Sequence, residues 1–292
     1  MHFLAQGAGW YFDATVGGGG HAARLLEALP AEARLLAFDR DPAALARAAA
    51  RLAPFGDRVR LMHRAFDQLG EVLGSERLGS LAGALFDLGL SSLQLGDVDR
   101  GFSFAQEGVL DLRFDPTTGQ PAHALLATVD AATLGHWLAT YGELPGSHRV
   151  ARALVEYRRH QPLHETSHVR QAVAAVWGPA PHPRRMAQLF QALRIAVNDE
   201  LARVERGLAV ATEALAPGAV LAVITYHSLE DRIVKRHLQG SPPPKREAQL
   251  GATRRGPLER VTRRAVLPTA AEIARNPRAR SAKLRVARRI AA

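Results

Sequence analysis

Along the first hundred residues, short apolar runs alternate with segments whose apolar positions recur at spacings of three and four. Trp10-Tyr11-Phe12 ends at Asp13 and a run of four glycines, and a helix is expected from about Gly20 to Leu29. Leu35 to Phe38 reads as a second strand ending at Asp39. Asp41-Pro42 marks a helix start, because Asp caps and Pro suits the first helical position. Leu45, Ala48, Ala49 and Leu52 then share one face. Val59 to Met62 and Ala82 to Leu85 complete four strands. Strand and helix in strict alternation predict a parallel sheet with helices on both sides.

From Gly101 to Pro183 no strand is expected. Ala131 to Thr140 and Arg149 to Arg159 read as helices, separated by Pro145-Gly146, Pro162 and the proline-rich Pro179 to Pro183. Leu193, Val197, Leu201, Val204, Leu208, Ala211 and Leu215 then predict one long amphipathic helix. Pro217-Gly218 turns the chain into a strand, Val220 to Tyr226. Ser228, with Asp231 three residues on, resembles a capping box opening a helix to about Leu238. Gly240 to Gly256 reads as a mobile loop, and Lys283 to Ile290 alternates like a final edge strand. The expected fold class is α/β: a Rossmann-like sheet from residues 1–100 and 184–292, with a mostly helical domain inserted at 101–183.

Composition narrows the chemistry. There is no cysteine, which excludes disulfides, thiolate metal sites and the thiolate attack that usually opens methylation of a pyrimidine carbon. Direct displacement onto nitrogen or oxygen stays open. The net charge of +10 is uneven. Arg232 to Ala292 holds 17 Lys+Arg against 3 Asp+Glu, and the remainder is net −4. A basic stretch is the footprint of a phosphate-rich partner, or simply a solvated arginine-rich surface. No apolar run approaches the roughly 20 residues of a spanning helix, and no signal peptide is read at Met1 to Trp10, so a cytoplasmic protein without membrane contact is expected.

The strand ends carry the candidate chemistry. Glycines at a strand end before a helix let a ligand approach the backbone closely, and Gly17-x-Gly19-x-x-Ala22 satisfies a loose dinucleotide fingerprint. A flexible turn is the plainer reading. Asp39 can accept both hydroxyl protons of an adenosine ribose, or merely begin a turn. Nicotinamide enzymes and methyltransferases share this device. Asp13 favours the second, because a pyrophosphate would meet its charge whereas an ammonium and a sulfonium tolerate it. Asp87, at the end of the fourth strand, could accept a proton from an exocyclic amine and so localise a lone pair otherwise delocalised into a base. Ser91, Ser92 and Gln94 follow it. His227 and Asp231 open another helix, in a capping or a catalytic role. Arg194 and Asn198 lie four apart on a helix, placed to clamp phosphate or to face water. His160, His164 and His168 have helical spacing, but Pro162 between them breaks a helix, so no metal site is expected.

Seven ordered motifs now stand together: Asp13-x-Thr15-x-Gly17-x-Gly19-Gly20-His21, Phe38 to Pro42, Asp87 to Leu95, Arg100 to Phe104, Phe190 to Ile195, His227 to Arg232 and Asn276 to Ser281. They resemble the bacterial 16S ribosomal RNA cytosine-N4 methyltransferases (the RsmH or MraW type), from about Phe12 to the C-terminus. The resemblance implies a class I methyltransferase fold with a helical insertion that recognises substrate. It implies S-adenosylmethionine as cofactor and a cytidine of the small-subunit decoding region, in naked RNA or the 30S subunit, as substrate. Donor contacts would fall on Gly19, Gly20, His21, Asp39, Phe66, Asp87 and Gln94, with Phe66 near the adenine. Asp87 is then the candidate for polarising the amine, with Ser92 and His227 in support. This chain departs from the family in having Leu93 for a proline, Val109 for the proline of a Pro-Leu-Asp-Met-Arg stretch, and Tyr226 for a phenylalanine. It has no His-x-Pro-Val stretch ahead of Trp10. A nicotinamide-dependent dehydrogenase and a non-enzymatic ribosome-assembly factor are the rival readings.

Overall fold

A computed structural model describes residues 2–240 and 256–291; most of the loop expected at Gly240 to Gly256 lies outside them. The chain forms two compact units, Met1–Gly89 with Leu201–Ala292, and Leu90–Glu200.

The first unit is built on a seven-stranded sheet. Its elements are β1 (Trp10–Asp13), α1 (Gly20–Ala28), β2 (Arg34–Asp39), α2 (Pro42–Leu52), β3 (Val59–His63), α3 (Leu69–Glu76) and β4 (Leu81–Asp87). After the second unit come α10 (Glu200–Ala214), β5 (Leu215–Thr225), α11 (Ser228–Gln239), β6 (Leu258–Arg260), α12 (Ala270–Arg275) and β7 (Lys283–Arg289). The strand order is β3-β2-β1-β4-β5-β7-β6. The first five strands run parallel, and β7 is antiparallel to both β5 and β6. This is the expected α/β class. It also explains why β1, β2, β4 and β5 are apolar at nearly every position: both faces of a parallel sheet are covered. Phe12, Leu36, Phe38, Phe86, Leu221 and Val223 face a core closed by Leu69, Leu208 and Val234. Their neighbours Tyr11, Leu35, Ala37, Leu85, Val220 and Ala222 face one closed by Leu25, Leu26, Ala48 and Leu52. Phe12 meets Phe38 and Phe86 edge to face, at 5.0 and 6.0 Å, and each fully buried ring contributes about 1.5–3 kcal/mol.

Four local expectations are corrected. The long helix is two helices: the first, Pro183–Asn198, ends where Asp199 takes φ 51°. The buried Asn198 amide donates to Leu112 O, and its side-chain oxygen accepts Phe114 N–H, so tertiary bonds cap the chain where apolar spacing alone would run on. Pro217-Gly218 does not precede β5 but bulges within it. Leu215 pairs with Leu81 and Val220 with Gly83, so the extra residues loop out, with Gly218 at φ 84°. The cap of α11 is His227 with Glu230, one residue earlier than expected. Finally, β7 is not the edge strand, because the short β6 pairs beyond it.

The second unit is helical: α4 (Ser92–Gly96), α5 (Ala122–Thr128), α6 (Ala131–Thr140), α7 (Ser147–Tyr157), α8 (Thr166–Trp177) and α9 (Pro183–Asn198). It has its own core, from Leu110, Leu138, Val150, Leu154, Val169 and Leu189. Its strand-like pairing among the described residues is one isolated bridge, Val109 with Glu165. The histidines at 160, 164 and 168 do not share a helix, since α7 ends at Tyr157 and α8 begins at Thr166.

Candidate active site

Asp13, Asp39 and Asp87 are the last residues of β1, β2 and β4. In parallel pairing these ends fall on one edge of the sheet. Asp13 stands level with Ala37 on one side and Leu85 on the other. The order of strands reverses between β1 and β4, and at such a point the loops diverge and leave a crevice.

The turn after β1 is drawn into that crevice by Asp39. Its Oδ2 accepts Gly17 N–H at 2.8 Å and its Oδ1 accepts Asp41 N–H at 2.9 Å. Burial nevertheless raises the Asp39 carboxyl, against these amide bonds. Gly17 and Gly19 have φ of 51° and 76°, which glycine adopts without strain. At Gly19 a Cβ would also crowd Ala48 Cα at 3.3 Å and Leu52 Cγ at 3.4 Å. Gly17 is thus required by backbone geometry, and Gly19 by backbone geometry and by the packing against α2.

Asp13 is 1% exposed. Its Oδ1 accepts Thr15 N–H at 3.1 Å, while its Oδ2 has no hydrogen-bond partner among the described residues. Burial pushes this carboxyl up to about 7; Thr15 N–H and His21 oppose the shift, and Asp87 and Asp39 add to it. An unsatisfied buried acceptor costs about 1–3 kcal/mol, so Oδ2 is suited to a cationic or N–H-bearing ligand.

Asp87 is held from three directions. The Thr15 hydroxyl accepts Asp87 N–H at 2.9 Å and donates to Asp87 O at 2.8 Å, tying β1 to β4. The Tyr226 hydroxyl donates to Oδ1 at 3.0 Å. His21 Nδ1, in the first turn of α1, lies 3.2 Å from Oδ2. The bond to Asp87 raises the pKa of His21 against its burial. Burial first, then the Asp87 charge, raises the Tyr226 phenol, so this hydroxyl stays a donor. The sequence marks Thr15 only as part of the glycine motif and Tyr226 only as a departure, neither as a partner of Asp87. A hydroxyl two residues past the first strand, and the tyrosine in place of the family's phenylalanine, were the available signals.

The remaining candidates have different surroundings. Phe66 is 9% exposed and packs in the sheet core, 5.5 Å from Phe86 and against Gly207, where a Cβ would meet its ring at 2.4 Å. His227 Nδ1 accepts Glu230 N–H at 3.4 Å as the cap of α11, and Nε2 lies 3.1 Å from Glu230 Oε1. Asp231 accepts from Arg285 at 2.7 and 3.1 Å and from Lys283 at 3.4 Å. Although burial opposes it, these cations hold its carboxyl low. Within the helical unit, Ser92 opens α4. There Gln94 Oε1 accepts Ser91 N–H at 3.0 Å, and Gln94 N–H donates to Ser91 Oγ at 3.1 Å. Arg194 makes a bidentate pair with Glu200 at 2.7 and 3.0 Å, so neither it nor the buried Asn198 is a solvent-facing phosphate clamp.

What the arrangement offers is an acidic, glycine-lined crevice with one unsatisfied carboxylate oxygen and one carboxylate clamped in place. The amino-acid sequence matches the MraW methylase family over residues 1–290. It is 45% identical to "Ribosomal RNA small subunit methyltransferase H" of Thermomicrobium roseum, covering 100% of this chain and 91% of that one. It is 45% identical to the protein of the same name from Thioalkalivibrio sulfidiphilus, over 97% and 92% of the two chains. For that of Geotalea uraniireducens the identity is 41%, over 99% and 96%. A match along nearly the whole sequence, at identities of this level, means that the chain belongs to the MraW methylase family.

Proposed function

We propose that this protein transfers a methyl group from S-adenosylmethionine to the N4 amine of a cytidine in the decoding region of small-subunit ribosomal RNA. The observation that carries the reading is the gathering of Asp13, Asp39 and Asp87 about the glycine turn, with Asp13 Oδ2 left unpartnered. The names of the relatives support ribosomal RNA as the substrate. The absence of cysteine favours an amine over a ring carbon as acceptor.

The residues present fit this cofactor. When bound, S-adenosylmethionine supplies an activated methyl group on a sulfonium. Asp39 has lone pairs beyond the two that accept Gly17 and Asp41 N–H, and these serve the ribose hydroxyls. Asp13 Oδ2 serves the ammonium. The glycine backbone at 17 to 20 leaves room for close approach, and His21, in the first turn of α1, adds a donor contact. Phe66 contributes by closing the core beneath the adenine side.

Asp87 is the residue assigned to the acceptor. Tyr226 and His21 each occupy one of its oxygens and fix the plane of the carboxylate. Its remaining lone pairs accept an N–H of the cytidine amine, which holds that nitrogen's lone pair out of conjugation with the ring and available for attack. His227 supports the site by fixing the turn after β5. Mass mapping of nucleosides from small subunits incubated with the protein tests the reading. One N4-methylated cytidine in the decoding region is expected. Methyl groups on other atoms, or none, would remove it. A melting temperature raised by S-adenosylhomocysteine and unmoved by nicotinamide cofactors separates it from the dehydrogenase alternative.

A further inference from the structure

The positive charge of this chain is not in its helical unit. Leu90–Glu200 has ten arginines, no lysine and eleven carboxylates. Between Arg260 and Arg289 there are ten cations and a single carboxylate, Glu272. Of those cations, Lys283 and Arg285 are committed to Asp231. Arg263, Arg264, Arg275, Arg278 and Arg280 are exposed and pair with no acidic side chain among the described residues.

The topology brings these five to the edge that bears the strand-end carboxylates. Asp87 is level with Ile224, Ile224 with Leu284, and Leu284 with Val266. Three strand spacings therefore separate Val266 from Asp87, about 14 Å. Because β7 is antiparallel to β5, its first residue, Lys283, stands beside the last of β5, Thr225. The turn Pro277–Ser281 and α12, which lead into Lys283, thus sit at that same edge. Consistent with this, the Glu272 charge acts on the Tyr226 phenol. Among the arginines Leu267 is 63% exposed and Val266 45%. Large apolar side chains standing in water between arginines match a surface that holds a nucleic-acid backbone by charge and contacts bases by apolar faces.

We propose that Arg263, Arg264, Arg275, Arg278 and Arg280, with Leu267 among them, form the rim on which single-stranded RNA flanking the target nucleotide lies. This rests on the RNA reading above and assigns its phosphate contacts to the sheet edge. Guanidinium groups match phosphate oxygens in a bidentate manner. Each contact releases counterions, so the logarithm of affinity falls with log salt by about 0.7 per phosphate on a single strand.

The test is binding of a fluorescent single-stranded RNA to the full-length protein between about 50 and 200 mM salt. The double variants Arg263→Ala/Arg264→Ala and Arg278→Ala/Arg280→Ala should each flatten the salt slope by about 1.4 and keep wild-type affinity for S-adenosylhomocysteine. Leu267→Ala should weaken binding without changing the slope. Arg149→Ala/Arg152→Ala, at two exposed arginines of α7, should leave the slope as it is. Wild-type slopes in both rim variants, or a loss confined to the α7 variant, would overturn the proposal. So would equal competition by polyglutamate and RNA, which would make the rim a general acidic-partner surface. Because binding is read without methylation, a chain that methylates no ribosomal RNA yet loses RNA at the rim variants would sink the functional reading alone.

Discussion

Two regions of the same sheet edge carry opposite charge and opposite physics. At the ends of β1, β2 and β4, Asp13 is buried and Asp39 and Asp87 are part-buried, and their neighbours use the last two: Asp39 holds the glycine turn and Asp87 ties Tyr226 and His21 together. Near the ends of β5 and β7, Arg263, Arg264, Arg275, Arg278 and Arg280 stand in water with no acidic partner among the described residues. In the first region the low-dielectric surroundings make each group count, and single substitutions act strongly. In the second, charge acts collectively and under salt screening, so single substitutions act weakly and additively. Depth, more than residue type, sets how sensitive each region is.

The sharpest way to break the comparison is Asp87→Ala. If Asp87 takes the amine hydrogen bond, methyl transfer should fall by about 100-fold or more, with donor affinity reduced far less; single-turnover rates and calorimetry give the two numbers. Asp39→Ala comes next. It removes the ribose acceptor and frees Gly17, so donor affinity should drop by about 10- to 100-fold, the equivalent of one or two charge-assisted bonds. An unchanged dissociation constant would end its assignment. Tyr226→Phe isolates positioning from chemistry. Losing one bond to a carboxylate that keeps its other partner should lower kcat by about 3- to 10-fold while donor affinity holds; a fall in donor affinity instead would place Tyr226 in donor binding.

The smallest effect sharpens the role of burial. Asp13 has its folded pKa raised to about 7, so the folded state holds its proton where the unfolded chain has lost it. The stabilisation is complete below the unfolded carboxylate pKa of about 4 and is lost as pH rises to about 7. Asp13→Asn should not show that loss. Its melting temperature at pH 8 should exceed the wild type's by a few degrees, with the two curves converging in acid. Parallel curves across the range would mean that Asp13 carries no strain in the folded protein.

The comparison also separates what was readable in the chain from what was not. Asp13, Asp39 and Asp87 were legible as neighbours on one sheet edge, because alternating strand and helix imposes parallel strands, and parallel strands place their carboxyl ends together. The Asp41 cap was equally legible, being a matter of neighbours two residues apart. Phe66 was different: its place in the sequence, just after β3, says nothing of Gly207, whose missing side chain makes room for the ring. The break at Asp199 was hidden by apolar spacing that continues in phase on both sides, while its cause, Asn198 bonding to Leu112 and Phe114, lies more than eighty residues away in sequence.

By itself, then, the sequence determined the layered α/β class, the glycine turn with its acidic strand ends, and the concentration of positive charge after Arg232. These follow from local spacing, backbone freedom and composition, which need no knowledge of distant partners. Only the tertiary structure decided that Tyr226 meets Asp87, that His227 is spent on a helix cap, and that Arg285 and Lys283 neutralise Asp231 while five other arginines remain in solvent. The reason is that hydrogen bonds and ion pairs are decided by which strands become neighbours, and β5 meets β4 and β7 across separations that no local pattern encodes.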